Sequence, residues 1–330
     1  MKITLKNFIV PSIPLAVMLV GFCIMLWLTD LAGFLMKIPI IQPKITINHP
    51  LIILFENNIF ANILSLIITI LNAFLIAQIN NKFTIIRTRT FLPIFIFLML
   101  ISSWYQVHYQ LNAHIALSLL ILSLFNFFNM LRDNRASEQA FMGSLFISVS
   151  SLFVSQFLIL IPICWIGFII FQSLSIRTFL ASVLGAMAPL ILYFSAQYLL
   201  NGKVDFNNFF SFDFSFDFTF ASTKLIDLIY LSTVFIVLII SIIALYSLTN
   251  SDAINTRNKL NFLVFLLFSL LAFTFFFRAQ FMSFLPIIAF VSALLISHPL
   301  TLKQTNFYGI LFAIFCVLNV TYVVFKYINL

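Results

Sequence analysis

Six side chains at the ends of long apolar runs are of the types that carry proton transfer and phosphate recognition. Asp30 closes the first run in LWLTD, His49 and Glu56 bracket HPLIILFE, His108 and His114 bound HYQLNAH, and Arg278 stands alone in FTFFFRAQF. A carboxylate at a water–lipid boundary can take the proton of an acceptor hydroxyl. A guanidinium can hold a phosphate through paired hydrogen bonds. Asp30 is therefore the candidate catalytic base, and Arg278, His49, Glu56, His108 and His114 are the candidate substrate-binding set. Plainer roles exist for each. Asp30 and Glu56 can cap helix ends, Glu56 favourably at an N-terminus; an interfacial histidine can simply be hydrogen-bonded; Arg278 can reach headgroups along its aliphatic stem. What favours chemistry is their convergence on one side of a chain that is otherwise apolar around them. Cys23, Cys164 and Cys316 lie inside apolar runs without metal-ligand spacing and read as structural thiols. No phosphate loop, His-Glu metal motif or serine elbow occurs, so neither a metal site nor a cofactor is assigned.

The elements that must position these residues follow from composition. Of 330 residues, 63% are hydrophobic and 8% charged, with a mean hydropathy of +1.15, whereas soluble domains carry about 25% charged residues. Runs of about 20 apolar residues recur, enough to cross a hydrocarbon core of about 30 Å. Backbone groups in lipid must be satisfied within the segment, so the runs are helices. Eleven spans fit, near 8–29, 57–79, 90–104, 112–130, 140–156, 158–174, 178–199, 225–248, 260–276, 280–297 and 306–327. The third, fifth and sixth are short, so ten or twelve spans, or a re-entrant pair, also fit. The first run follows Lys2 and Lys6 but is too long for a signal peptide and no small-x-small site follows it, so it reads as an uncleaved span. The expected fold is an all-α polytopic membrane protein, residues 1–330 forming one integral domain without a soluble one. Its longest loops are about 30–56 and 201–224.

Orientation follows from the basic residues. Lys2, Lys6, Lys82, Arg87, Arg89, Arg132, Arg135, Arg177, Arg257, Lys259 and Lys303 fall at one set of alternate ends, and Lys37, Lys44, Lys203, Lys224, Arg278 and Lys326 at the other. The richer set marks the cytoplasm, which puts the N-terminus inside and, with eleven spans, the C-terminus outside. The expected location is the bacterial inner membrane, with membrane lipids as partners. The net charge of +8 is then membrane topology; nucleic-acid binding would need a clustered basic patch, which is missing.

FSFDFSFDFTF, Phe210–Phe220, alternates aromatic and polar residues with the period of a half-buried strand. On the outer face it can rest its Phe side on apolar membrane surface while Asp213 and Asp217 meet water. Phe214 and Phe216 are accordingly the candidate lid residues. Within the spans, the amides Asn62, Asn72, Asn126 and Asn129 read as helix glue. No acid or base falls at mid-membrane and no pair of broken spans recurs in matching halves, which speaks against an ion-coupled transporter.

Over most of its length the chain resembles an uncharacterised bacterial family of multispan inner-membrane proteins. The resemblance lies in FLIAQINNKF, RTRTFLPIFIFLML, RASEQAFMGSLFISVSSLFVSQFLILIPICWIGF and RTFLASVLGAMAPLILYF; it implies no activity. A second similarity is to the membrane-embedded C-type glycosyltransferases that use polyprenyl-phosphate-linked sugars. Asp30 stands where their acidic residue ends the first span, NHPLIILFENN is similar to the segment leading into their next span, and FMGSLFISVSSLF with IRTFLASVLGAMAPL matches their small-residue and Arg-led helices. Departures are a single Asp instead of an acidic pair, a short first outer loop and no soluble domain. This similarity implies sugar transfer at the periplasmic face, with Asp30 as base, Arg278 on the departing lipid phosphate and the Phe ribbon as lid. A non-enzymatic subunit of an envelope-assembly or secretion complex, and a transporter of lipid or lipid-linked glycan, remain open beside it.

Overall fold

A computed structural model describes residues 58–204, 206–209, 225–248, 252–277, 280–303 and 305–328, together with single positions between 17 and 27. Asp30, His49, Glu56, Arg278 and the ribbon with Phe214 and Phe216 lie outside the described residues. The described chain is helical, with no strand among the described residues.

The helices are α1 (Asn58–Phe83), α2 (Leu92–Ser102), α3 (Tyr105–His108), α4 (Leu111–Asn129), α5 (Ser137–Ser151), α6 (Leu160–Ile170) and α7 (Ile176–Asn201), with a 3-10 turn at Ser155–Ile159 leading into α6. There follow α8 (Phe206–Phe209), α9 (Leu225–Leu248), α10 (Ile254–Phe276), α11 (Phe281–Leu302) and α12 (Asn306–Ile328). Seven of these are long and apolar enough to cross a membrane: α1, α4, α7, α9, α10, α11 and α12. They coincide with seven of the eleven expected spans. The three expected to be short are shorter helices. The 11 residues of α2 reach only about 16 Å, and α5 and α6 run back to back through the 3-10 turn. The first expected span lies largely outside the described residues.

Local sequence sets several helix ends. Ser175 caps α7, accepting from the Thr178 amide while the Thr178 hydroxyl accepts from the Ser175 amide, and Gly202 ends the helix at φ 66°. Within the bundle α11 is buried nearly all round, whereas α7 is exposed along most of its length. The tightest approach joins α5 to α7. There the Cβ missing from Gly185 would meet the Phe141 carbonyl, and Ser148 Oγ donates to Ala186 O at 2.6 Å. Pro189 cannot supply the helix bond that Gly185 O would otherwise accept, so the backbone ladder of α7 lacks one bond at this crossing while the helix continues to Asn201.

The two ends of the bundle differ in chemistry. At one, Lys259 Nζ donates to Phe83 O at 3.0 Å, Arg132 N donates to Phe171 O, and Lys303 Nζ donates to Ser247 Oγ. Phe83, Phe128, Phe171 and Phe262 join these contacts edge to face. Chain connectivity gathers Lys82, Arg87, Arg89, Arg132, Arg135, Arg177, Arg257, Lys259 and Lys303 at this basic end. Lys203, beyond α7, is at the opposite end.

Candidate functional site

The end opposite the basic one holds a buried polar and aromatic floor, and α2 is its centre. Ser102 and Ser103 end α2, and Trp104 follows; all three are buried. Ser102 Oγ faces Cys23 Sγ at 3.9 Å, while Ser103 Oγ donates to Asn319 Oδ1 at 2.9 Å. The end of α2 thereby links two clusters.

The first cluster holds His108 and His114, both fully buried. Trp27 stacks on His108 with ring centroids 4.1 Å apart and tilts toward His114 at 6.0 Å. His114 Nε2 lies 3.0 Å from Val107 O, and a carbonyl only accepts, so this nitrogen carries a proton. Nδ1 lies 3.1 Å from Thr69 Oγ1. That hydroxyl has one proton, which serves either His114 or the Ser65 carbonyl 2.8 Å away. Asn72 Nδ2 donates to His114 O at 3.0 Å, and Ser118 Oγ donates to Asn72 Oδ1 at 2.7 Å. Ser65 Oγ donates to His108 O. Asn72 thus joins α1 to α4, as expected of helix glue. Asn126 instead bonds within its own helix, to Leu122 O. The two histidines expected to meet substrate do come together, but inside the bundle and in contact with its helices.

The second cluster joins residues that the sequence does not mark as partners. Asn319 Oδ1 accepts from both Ser103 Oγ and Tyr230 OH, the latter at 2.7 Å, while its Nδ2 donates to Phe315 O. The rings of Tyr230 and Tyr322 stack at 4.0 Å, 14° from parallel, with Trp104 tilted against both. Tyr322 OH donates to Asp227 Oδ1 at 2.7 Å, holding a half-buried carboxylate in the first turn of α9. Asp227 and Asn319 lie inside expected spans but were not among the polar residues singled out there. Their meeting was not legible, because α2, α9 and α12 are far apart in the chain.

Chemically the floor offers one partly exposed carboxylate, backed by rings buried against one another whose hydroxyls bond Asn319 and Asp227. Among the described residues no group of three or more His, Cys, Asp or Glu could hold a metal ion.

A family model described as a family of unknown function, DUF6427, matches residues 25–330. No curated protein and no solved structure matches the chain.

Proposed function

The chain belongs to the DUF6427 family, whose description carries no activity, and on the chain's own residues we propose a multi-pass protein of the bacterial inner membrane. Its basic end faces the cytoplasm and its working end is the opposite one. There it acts as a glycosyltransferase-like enzyme on a polyprenyl-phosphate-linked sugar. The supporting observation is the polar–aromatic floor opposite the basic end, with the Asp227 carboxylate held by Tyr322 at the rim. A partly exposed carboxylate held in place by a buried aromatic cluster suits a sugar hydroxyl, from which it can accept a hydrogen bond. Asp30 serves as base and Arg278 holds the departing lipid phosphate.

A second reading, a non-enzymatic membrane subunit of an envelope-assembly complex, is favoured by His108 and His114. Both are buried, and His114 spends its ring nitrogens on Thr69 and Val107.

One strain series separates the two. Reporters fused after Arg135 and near Ser211 should read cytoplasmic and external, respectively; a cytoplasmic signal at Ser211 overturns the orientation. Asp30→Asn keeps size and removes basicity, so turnover should fall by about 10²–10⁴-fold with normal protein in the membrane. Arg278→Lys keeps the charge but loses the planar fork, and should fail as well. Full complementation by a well-expressed Asp30→Asn strain sinks the enzyme and leaves the subunit.

A further inference from the structure

The basic end contains a buried ionisable group that the floor at the other end does not use. Asp252, in the connection from α9 to α10, has a fully buried side chain. Its Oδ1 accepts from Arg87 Nε at 2.6 Å, and its Oδ2 lies 3.5 Å from His298 Nε2. His298 sits in the last two turns of α11 with its side chain fully buried. Neither of its ring nitrogens, nor Asp252 Oδ2, has a partner at hydrogen-bond geometry. Buried polar atoms in native proteins are nearly always satisfied, and an exception calls for an explanation.

Three sequence-distant residues thus place a carboxylate between a permanent cation and an imidazole. A neutral ring can direct one N–H at Oδ2 and keep the other nitrogen open. A proton added to that nitrogen makes an imidazolium beside the carboxylate; burial of the ring opposes that proton, and the nearby negative charge favours it. Arg87 opposes the same proton. We propose that His298, Asp252 and Arg87 form a proton-binding site, through which proton uptake draws the end of α11 toward the α9–α10 connection.

The surrounding elements fit this role. The Arg87 side chain is 39% exposed, which connects the buried pair to solution. Pro299 follows His298 and cannot supply the helix bond that Leu295 O would accept, so this end of α11 is less firmly held. The other charged groups nearby have partners elsewhere in part. On α10, Lys259 donates to Phe83 O, and Arg257 lies one turn from the helix start. Lys303, just past α11, donates to Ser247 Oγ and lies 5.6 Å from the Tyr308 ring of α12. α9 carries Tyr246 at this end, and α2 presents no ionisable residue along its length. The ionisable residues of α3 and α4, Tyr105, His108 and His114, belong to the opposite end.

The test uses the full-length protein in lipid nanodiscs with its four histidines labelled in the ring with ¹⁵N. The His298 signal is assigned as the one lost in His298→Gln. The His298 ring signals should shift as the pH is lowered and the ring takes up a proton. Asp252→Asn removes the favouring charge and should weaken proton binding by tenfold or more, moving the midpoint down by at least one pH unit. Arg87→Gln removes the opposing charge and should move the midpoint up, which keeps the test decisive if Asp252→Asn is poorly folded. A His298 ring that does not titrate over the pH range in which the protein stays folded, or one with the same midpoint in the folded variants as in the parent, overturns the proposal.

Discussion

Replacing Gly185 with alanine should drive α5 and α7 apart. The added Cβ would lie 2.3 Å from Phe141 O and 2.4 Å from Ser144 Oγ. Ordinary carbon–oxygen contacts are about 3.3–3.6 Å, so roughly 1 Å is missing. Ser144 could turn away, at the loss of its bonds to Ala140 O and Phe141 O. The Phe141 carbonyl is helix backbone and moves only with α5. Overpacking of this kind costs about 1–3 kcal/mol. Sliding the helices also stretches Ser148 Oγ to Ala186 O and Trp165 Nε1 to Ser182 Oγ, at 2.6 and 2.9 Å, with interhelical bonds in membranes averaging about 0.6 kcal/mol. Alanine's better helix propensity returns at most about 1 kcal/mol. The net expectation is a loss of about 1–3 kcal/mol, read from denaturant titration of the purified full-length protein in mixed micelles. Gly21→Ala, also helical and with nothing within 4 Å, is the matched control and should be neutral or stabilising by at most about 1 kcal/mol. Adding Ser144→Ala to Gly185→Ala should not restore stability, because the carbonyl clash remains. A Gly185→Ala protein as stable as the control, or one rescued by Ser144→Ala, refutes the backbone-contact account.

Three further outcomes follow from the geometry at the other end. His114→Leu leaves Val107 O and the Thr69 hydroxyl without the ring and should cost about 1–3 kcal/mol in the same titration; unchanged stability with lost activity would instead favour substrate contact. Tyr322→Phe removes the bond to Asp227 and should cost about 0.5–1.5 kcal/mol. Combined with Asp227→Asn it should cost clearly less than the sum of the single changes, as expected for residues in contact. If the Phe side of FSFDFSFDFTF rests on apolar surface, Phe214→Asp and Phe216→Asp should lower membrane levels in immunoblots while Asp213→Asn does not; full burial of a Phe is worth about 1.5–3 kcal/mol, and partial burial proportionately less. Equal tolerance at both faces would show the alternation to be accidental.

The sequence alone determined the elements, because length and hydropathy decide whether a segment can satisfy its backbone in lipid. Seven expected spans are membrane-length helices, the three short runs are short helices, and Ser175 and Gly202 bound α7 as their chemistry dictates. The gathering of Arg87, Arg132, Arg177 and Lys259 at one end was also legible, since helices that alternate in direction bring every second connection together. Azimuth was not legible. In a membrane bundle the faces turned to lipid and to other helices are both apolar, so hydropathy does not distinguish α11, buried nearly all round, from α7, mostly exposed. A polar residue in such a helix therefore gives no sign of its partner. Only tertiary packing turned His114 inward onto Thr69, brought Asn319 to Ser103 and Tyr230, and set Asp252 between Arg87 and His298. These contacts join helices remote in the chain, and their cost when unmade in an apolar interior is what fixes the helices against one another.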